Sequence, residues 1–159
     1  MRQAEQLSLT ALLSALCVLG SFITFPSPAG TIALDSSPGF FAAYYLGAGL
    51  GAAVCAIGHL ATAVVHGFPL GPLHLAIALG MALTGFLAGL TKQRFGLYPA
   101  VLVTVIVNTM LFPLAIPVLG WYVSLYIIMP ILLVASAVNA FLAMFAYKLL
   151  SKLSLKQTA

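Results

Sequence analysis

Polar positions are so sparse along this chain that they read as punctuation between apolar runs. Leu7 to Phe25 is the first run and is long enough for one membrane-crossing helix. It ends at Phe25-Pro26-Ser27-Pro28-Ala29-Gly30, where two prolines and a glycine stop a helix. Thr31 to Leu34 is short, apolar and compatible with extended chain. Asp35-Ser36-Ser37-Pro38 has the form of a helix start, with Asp or Ser as N-cap and Pro38 in the first turn. The helix it opens, 37–47, is predicted to be short and irregular, closed by Gly47-Ala48-Gly49-Leu50-Gly51. A third span is predicted at 50–66, broken by Gly67-Phe68-Pro69-Leu70-Gly71-Pro72, and a fourth at 73–90. The fifth, 97–119, carries Pro113 and Pro117 near its far end, which predicts a bent exit. The last, 122–150, would be roughly 43 Å of helix, longer than a hydrocarbon core of about 30 Å.

Composition turns these runs into spans. Of 159 residues 63% are hydrophobic and 5% charged, and the mean hydropathy is +1.18. A soluble domain is roughly a quarter charged. This chain cannot cover a water-exposed surface, which excludes a soluble enzyme, a nucleic-acid binder and a disordered tail. An all-α integral membrane protein remains, a single compact six-helix domain. Met1-Arg2 ahead of an apolar run resembles a signal peptide, but the run is long, Pro26 follows and no small-residue cleavage site is present. The reading is a retained first span.

The cations set the topology. Arg2, Lys92, Arg94, Lys148, Lys152 and Lys156 are the complete set. Six spans put all of them on one side, with both termini cytoplasmic; five spans split them. The outer loops 26–35, 67–72 and 119–122 then hold no Lys or Arg.

Small residues suggest close packing. Gly47 with Gly51 and Gly85 with Gly89 are four apart, a spacing that lets membrane helices approach, and ordinary internal packing accounts for them. Ala11 and Ala15 repeat it on the first helix. For these two, spacing alone does not choose between an internal contact and a face for another protein. Cys17 and Cys55 lie in apolar runs and read as packing residues.

Polar residues inside a membrane are costly and tend to mark function. Asp35, Ser36, His66, His74, Trp121, Tyr122 and Tyr126 fall towards the outer side, His59 and Asn108 near mid-span, and Asn139 towards the inner side. Each has a plainer reading: Trp121 and Tyr122 as an interfacial belt, His66 in headgroup water, His59 and Asn108 as packing between spans, Asp35 as a cap. Together, a lone carboxylate, histidines and aromatics without a cation describe a pocket for a neutral or cationic ring compound bearing hydroxyl or amine donors. An anionic ligand would be expected to meet Arg or Lys. Catalysis has little support. No metal-ligand motif with a general base, no Ser-His-Asp arrangement and no phosphate-binding glycine loop is present. No cofactor or resident metal is expected.

The chain resembles the substrate-binding S-components of energy-coupling factor (ECF) vitamin transporters. The resemblance is carried by Ala11-Leu12-Leu13-Ser14-Ala15, by the first outer loop running into Leu34-Asp35-Ser36-Ser37-Pro38-Gly39, and by Gly58-His59-Leu60 through Gly67-Phe68-Pro69-Leu70-Gly71-Pro72-Leu73-His74. It implies a multi-pass protein of a prokaryotic cell membrane that binds a vitamin or precursor on its outer side. It also implies a transmembrane coupling subunit and two cytoplasmic ATPase subunits as partners, with Ala11 and Ala15 contacting the coupling subunit. The sequence looks most like members assigned to α-ribazole, a neutral nucleoside precursor of cobalamin. Riboflavin, thiamin-like pyrimidines and a queuosine precursor suit the same outer half equally. A membrane scaffold or small channel, or an intramembrane metalloenzyme, are the other readings.

Overall fold

The computed structural model describes residues 3–30 and 32–157, with side chains described as far as residue 152. Arg2 lies outside the described residues. Helices α1 (Gln3–Gly20), α2 (Ser37–Leu46), α3 (Ala48–Val65), α4 (Leu73–Phe95), α5 (Leu97–Thr109), α6 (Ile116–Val123) and α7 (Met129–Gln157) follow in order. Short 3₁₀ turns at Leu34–Ser36 and Phe112–Ala115 and a π-helical turn at Ser124–Ile128 join them.

Helix α2 is the hub. Gly39, Phe40, Phe41, Ala42, Ala43 and Tyr44 are all buried, and the helix packs on α1, α3, α4, α5 and α7. Its ten residues make about 15 Å of helix. It is short because the segment before it dips into the fold: Phe25 N–H donates to the Ile32 carbonyl at 2.8 Å and Leu34 N–H to that of Ile23 at 3.0 Å. Residues 21–25 are thereby drawn into a hairpin-like pairing, with Thr24 opposite Ala33, and α1 stops at Gly20 instead of running to Phe25.

Helices α3 and α4 meet through glycine. A Cβ on Gly85 would lie 2.7 Å from the Gly51 carbonyl oxygen, and one on Gly89 would lie 2.6 Å from Ala48. These glycines let two backbones touch. The buried free cysteines fill the same seams: Cys17 against Gly58, and Cys55 against Gly39 and Gly85.

Among the described residues, four helices are long and apolar enough to cross a membrane: Gln3–Gly20, Ala48–Val65, Leu73–Phe95 and the 56-residue stretch Leu97–Lys152. The last is roughly 84 Å of chain at helical rise, length for two crossings. It bends after Thr109 and breaks at Gly120, whose φ of 78° is a conformation that glycine adopts readily. Helix α4 continues through Thr91-Lys92-Gln93-Arg94-Phe95, which the sequence suggested as a loop, and ends only at Gly96. Lys92 Nζ stands 5.0 Å over the Tyr147 ring, and Lys148 Nζ accompanies Tyr98, donating to its hydroxyl at 2.8 Å. The α4–α5 turn and the later part of α7 therefore occupy one end of the bundle.

Helix α1 differs from the rest. Only Leu13 and Cys17 are buried, while Leu7, Ala11, Leu12, Ala15, Leu16 and Leu19 are exposed. The glycine pairs serve internal packing, whereas both alanines are exposed.

Candidate functional site

A cavity with about 70 Å³ reachable by water lies away from the lysine-bearing end. The first loop supplies Ala29, Ile32 and Ala33, and the turn before α2 supplies Asp35 and Ser36. His59 comes from α3, Ile77 and Met81 from α4, and Asn108 from α5. Leu111, Phe112 and Ala115 follow from the bend, and Ile128, Leu132, Ala135, Ser136 and Asn139 from the π-helical turn and α7. The wall is mainly aliphatic with five polar side chains besides the carboxyl, and among the described residues no Lys or Arg lines it.

The polar groups are held by one another. His74, fully buried on α4, accepts the Leu70 backbone N–H at its Nε2, 3.3 Å away. A backbone N–H can only donate, so a neutral His74 ring carries its proton on Nδ1. That proton is directed at His59 Nε2, 3.1 Å away, which leaves the proton of His59 on Nδ1. The Gly67–Gly71 turn makes this possible. Gly67 and Gly71 have φ of 73° and 56°, and Phe68 joins them at 52°, a conformation disfavoured for a bulky residue. The turn brings the Leu70 N–H onto His74 and sets the Phe68 ring edge-on to it at 5.6 Å.

Asp35 is 5% exposed and accepts the Ser36 hydroxyl at 3.2 Å. Burial pushes its carboxyl up to about 6, against the hydrogen bonds from Thr62 and Ser36 and the charge of His66. On α5, Asn108 Nδ2 donates to Ser136 Oγ at 2.8 Å. On α7, Asn139 Nδ2 donates to the carbonyls of Ala33 and Ala135, each at 2.9 Å.

Of the residues singled out in the sequence, Asp35, Ser36, His59 and Asn108 come together on the cavity, and His74 reaches it through His59. His66 does not line it: its Nδ1 donates to the Thr62 carbonyl at 2.9 Å and closes the last turn of α3. Trp121, Tyr122 and Tyr126 stand outward, 62%, 69% and 62% exposed, and do not line it either. Gly120 and the π-helical turn rotate that stretch away from the interior. Ser136 and Asn139 were missed as wall residues. The signal was present, since Leu132, Ser136 and Asn139 recur at helical spacing on one face of α7. Asn139 was placed by depth along a straight span, whereas the first loop descends to meet it.

A family model described as "ECF transporter, substrate-specific component" matches residues 5–153. The chain belongs to this family. S-components are membrane-embedded, substrate-binding subunits of ECF importers and not enzymes; they bind small molecules and associate with an ECF membrane module and ATPases. Comparison with curated proteins and with solved structures found no match. Among the described residues, no three His, Cys, Asp or Glu side chains group as a metal site. In an S-component, an internal cavity with a carboxyl, an imidazole and amides is suited to hold a neutral polar ring compound by hydrogen bonds.

Proposed function

We propose that this S-component captures a vitamin or vitamin precursor from the outer face of a prokaryotic cytoplasmic membrane, with α-ribazole as substrate. The observation that carries the reading is the cation-free cavity itself, which pairs the Asp35 carboxyl with His59 and Asn108 inside an aliphatic wall. α-Ribazole is neutral, with a ring for the aliphatic wall and ribose hydroxyls for Asp35, Ser36 and Asn108. His59 offers its Nδ1–H to an acceptor on the ring, and His74 holds His59 in place. Riboflavin, a thiamin-like pyrimidine or a queuosine precursor is the second reading, favoured by the same lack of cations.

Six spans with both termini cytoplasmic, at about 7–25, 37–47, 50–66, 73–90, 97–119 and 122–150 in one domain, put the cavity on the outer side. The shared end of Lys92 and Lys148 supports this arrangement. Ala11 and Ala15 are assigned to the contact with the coupling subunit, supported by their exposure on a helix with little buried surface. The two ATPase subunits then drive release inward. Mass spectrometry of compounds that co-purify with the protein tests the substrate: a ribazole nucleoside is expected, and a different vitamin or an empty protein overturns that assignment.

A further inference from the structure

Helices α5 and α7 pack side by side in opposite directions, joined by Tyr98 and Lys148 at one end and by Asn108 and Ser136 further along. Their outer faces carry a graded pattern. On α7, Phe141, Phe145, Lys148 and Lys152 recur at helical spacing on one stripe. On α5, Tyr98, Leu102 and Ile106 follow one another four residues apart and are all exposed, as are Phe141 and Phe145. The two stripes meet where Lys148 Nζ donates to the Tyr98 hydroxyl at 2.8 Å and stands 4.5 Å over the ring. That contact engages one of the three N–H donors of the ammonium. The Tyr98 oxygen accepts it, so its own O–H is still to be given. Lys152 follows one turn nearer water. Among the described residues neither lysine pairs with an acid.

We propose that this face of α5 and α7 binds an anionic glycerophospholipid from the leaflet at the lysine-bearing end. The Tyr98 O–H and a second Lys148 N–H serve one phosphate, since the two groups are already in contact. Lys148 and Lys152 bring two positive charges. A zwitterionic headgroup cancels its phosphate with its own amine, so a headgroup of net negative charge is the complement. The acyl chains lie along Leu102, Ile106, Phe145 and Phe141, which lead away from the lysines into hydrocarbon. Phe141 is roughly 10 Å along the helix from Lys148. Lys92 carries the same charge at the same end but is turned elsewhere, over Tyr147, whose ring meets Tyr45 of α2 edge-on.

The test is native mass spectrometry of the protein in non-ionic detergent, offered dioleoylphosphatidylglycerol and dioleoylphosphatidylcholine in equal amounts. The wild type is expected to retain the phosphatidylglycerol about fivefold more often. Lys148→Gln, which keeps an N–H donor and loses the charge, is expected to abolish that preference. Tyr98→Phe, which keeps the ring and loses only the hydroxyl, is expected to lower phosphatidylglycerol retention about threefold. Lys92→Gln removes the same charge outside the face and is expected to keep the preference. Thermal unfolding reports whether each variant folds; if Lys148→Gln does not, Lys152→Gln gives the charge readout. Equal retention of both lipids by the wild type overturns the proposal. So does a loss of preference in Lys92→Gln as large as in Lys148→Gln, which makes the attraction a diffuse property of a basic end. Unchanged lipid retention in Lys148→Gln and Tyr98→Phe together with lost uptake gives the face to a protein partner and overturns it as well.

Discussion

His74 Nδ1 lies 3.1 Å from His59 Nε2, so a residue outside the cavity wall fixes the hydrogen-bonding character of one inside it. His59 carries its proton on Nδ1 because His74, held by the Leu70 N–H, occupies its other nitrogen. Replacing His74 by Leu is expected to weaken α-ribazole binding about tenfold, through a His59 ring free to turn and change tautomer. Isothermal titration in detergent measures this. Unchanged affinity would show that His59 holds its place without its neighbour.

Asp35 lies in the turn ahead of α2, outside the long apolar spans. Its carboxyl is raised from an ordinary 3.8 to about 6, chiefly by burial. The folded protein therefore holds this proton more tightly than the unfolded chain does. The resulting stability is complete below the unfolded value and is lost as pH rises through about 6. Ligand-free protein is expected to melt higher at about pH 5 than at about pH 7.5, and Asp35→Asn removes the difference. Affinity runs the other way, because the ionised carboxylate is the stronger acceptor for hydroxyls. Asp35→Ala is expected to cost about 1–3 kcal/mol of binding. Melting curves and titrations at the two pH values check both signs.

Ala11→Trp and Ala15→Trp separate capture from transport. Both positions are exposed on α1, where an indole can extend away from the helix bundle. Affinity for α-ribazole is expected to stay within about threefold of the wild type, a change under 1 kcal/mol. Uptake by cells that also carry the coupling subunit and ATPases is expected to be abolished. Normal uptake by both variants would move the docking face elsewhere.

Gly85 and Gly49 give contrasting glycine tests. Gly85→Val sets a Cβ 2.7 Å from the Gly51 carbonyl, backbone that cannot swing aside, and is expected to destabilise the fold by about 1–3 kcal/mol. Gly49 has nothing within 4 Å of its would-be Cβ. Gly49→Ala is expected to be neutral or to stabilise by about 0.4–1 kcal/mol, by restricting the unfolded chain. Melting temperatures of the two variants in detergent decide.

What the sequence made legible follows the cost of polarity in an apolar setting. Asp35, His59 and Asn108 stood out because each must find a partner or a ligand, and all three line the cavity. Trp121, Tyr122 and Tyr126 stood out equally, yet aromatics also suit a bilayer interface, and a glycine break with a π-helical turn aims them outward. Asn139, which the sequence sets towards the inner side, lines the same cavity and bonds the Ala33 carbonyl. Its neighbourhood depends on how deeply the first loop descends, and that depth is set by pairing between residues 23–25 and 32–34. The two kinds of small-residue pair look alike in sequence. Only the packing separates Gly85 and Gly89, pressed on α3 and its start, from Ala11 and Ala15, which are exposed.

The glycine seam has a consequence for how this subunit can diversify. With α3 and α4 in backbone contact at Gly51–Gly85 and Ala48–Gly89, the approach of the two helices that carry His59 and His74 is set by the main chain. The opposite boundary, from Asn108 through Phe112 to Asn139, is made of side chains on a bent and interrupted stretch. New substrate preferences can be written there by exchange of single residues, while the histidine side acts as a constant against which each new ligand is measured.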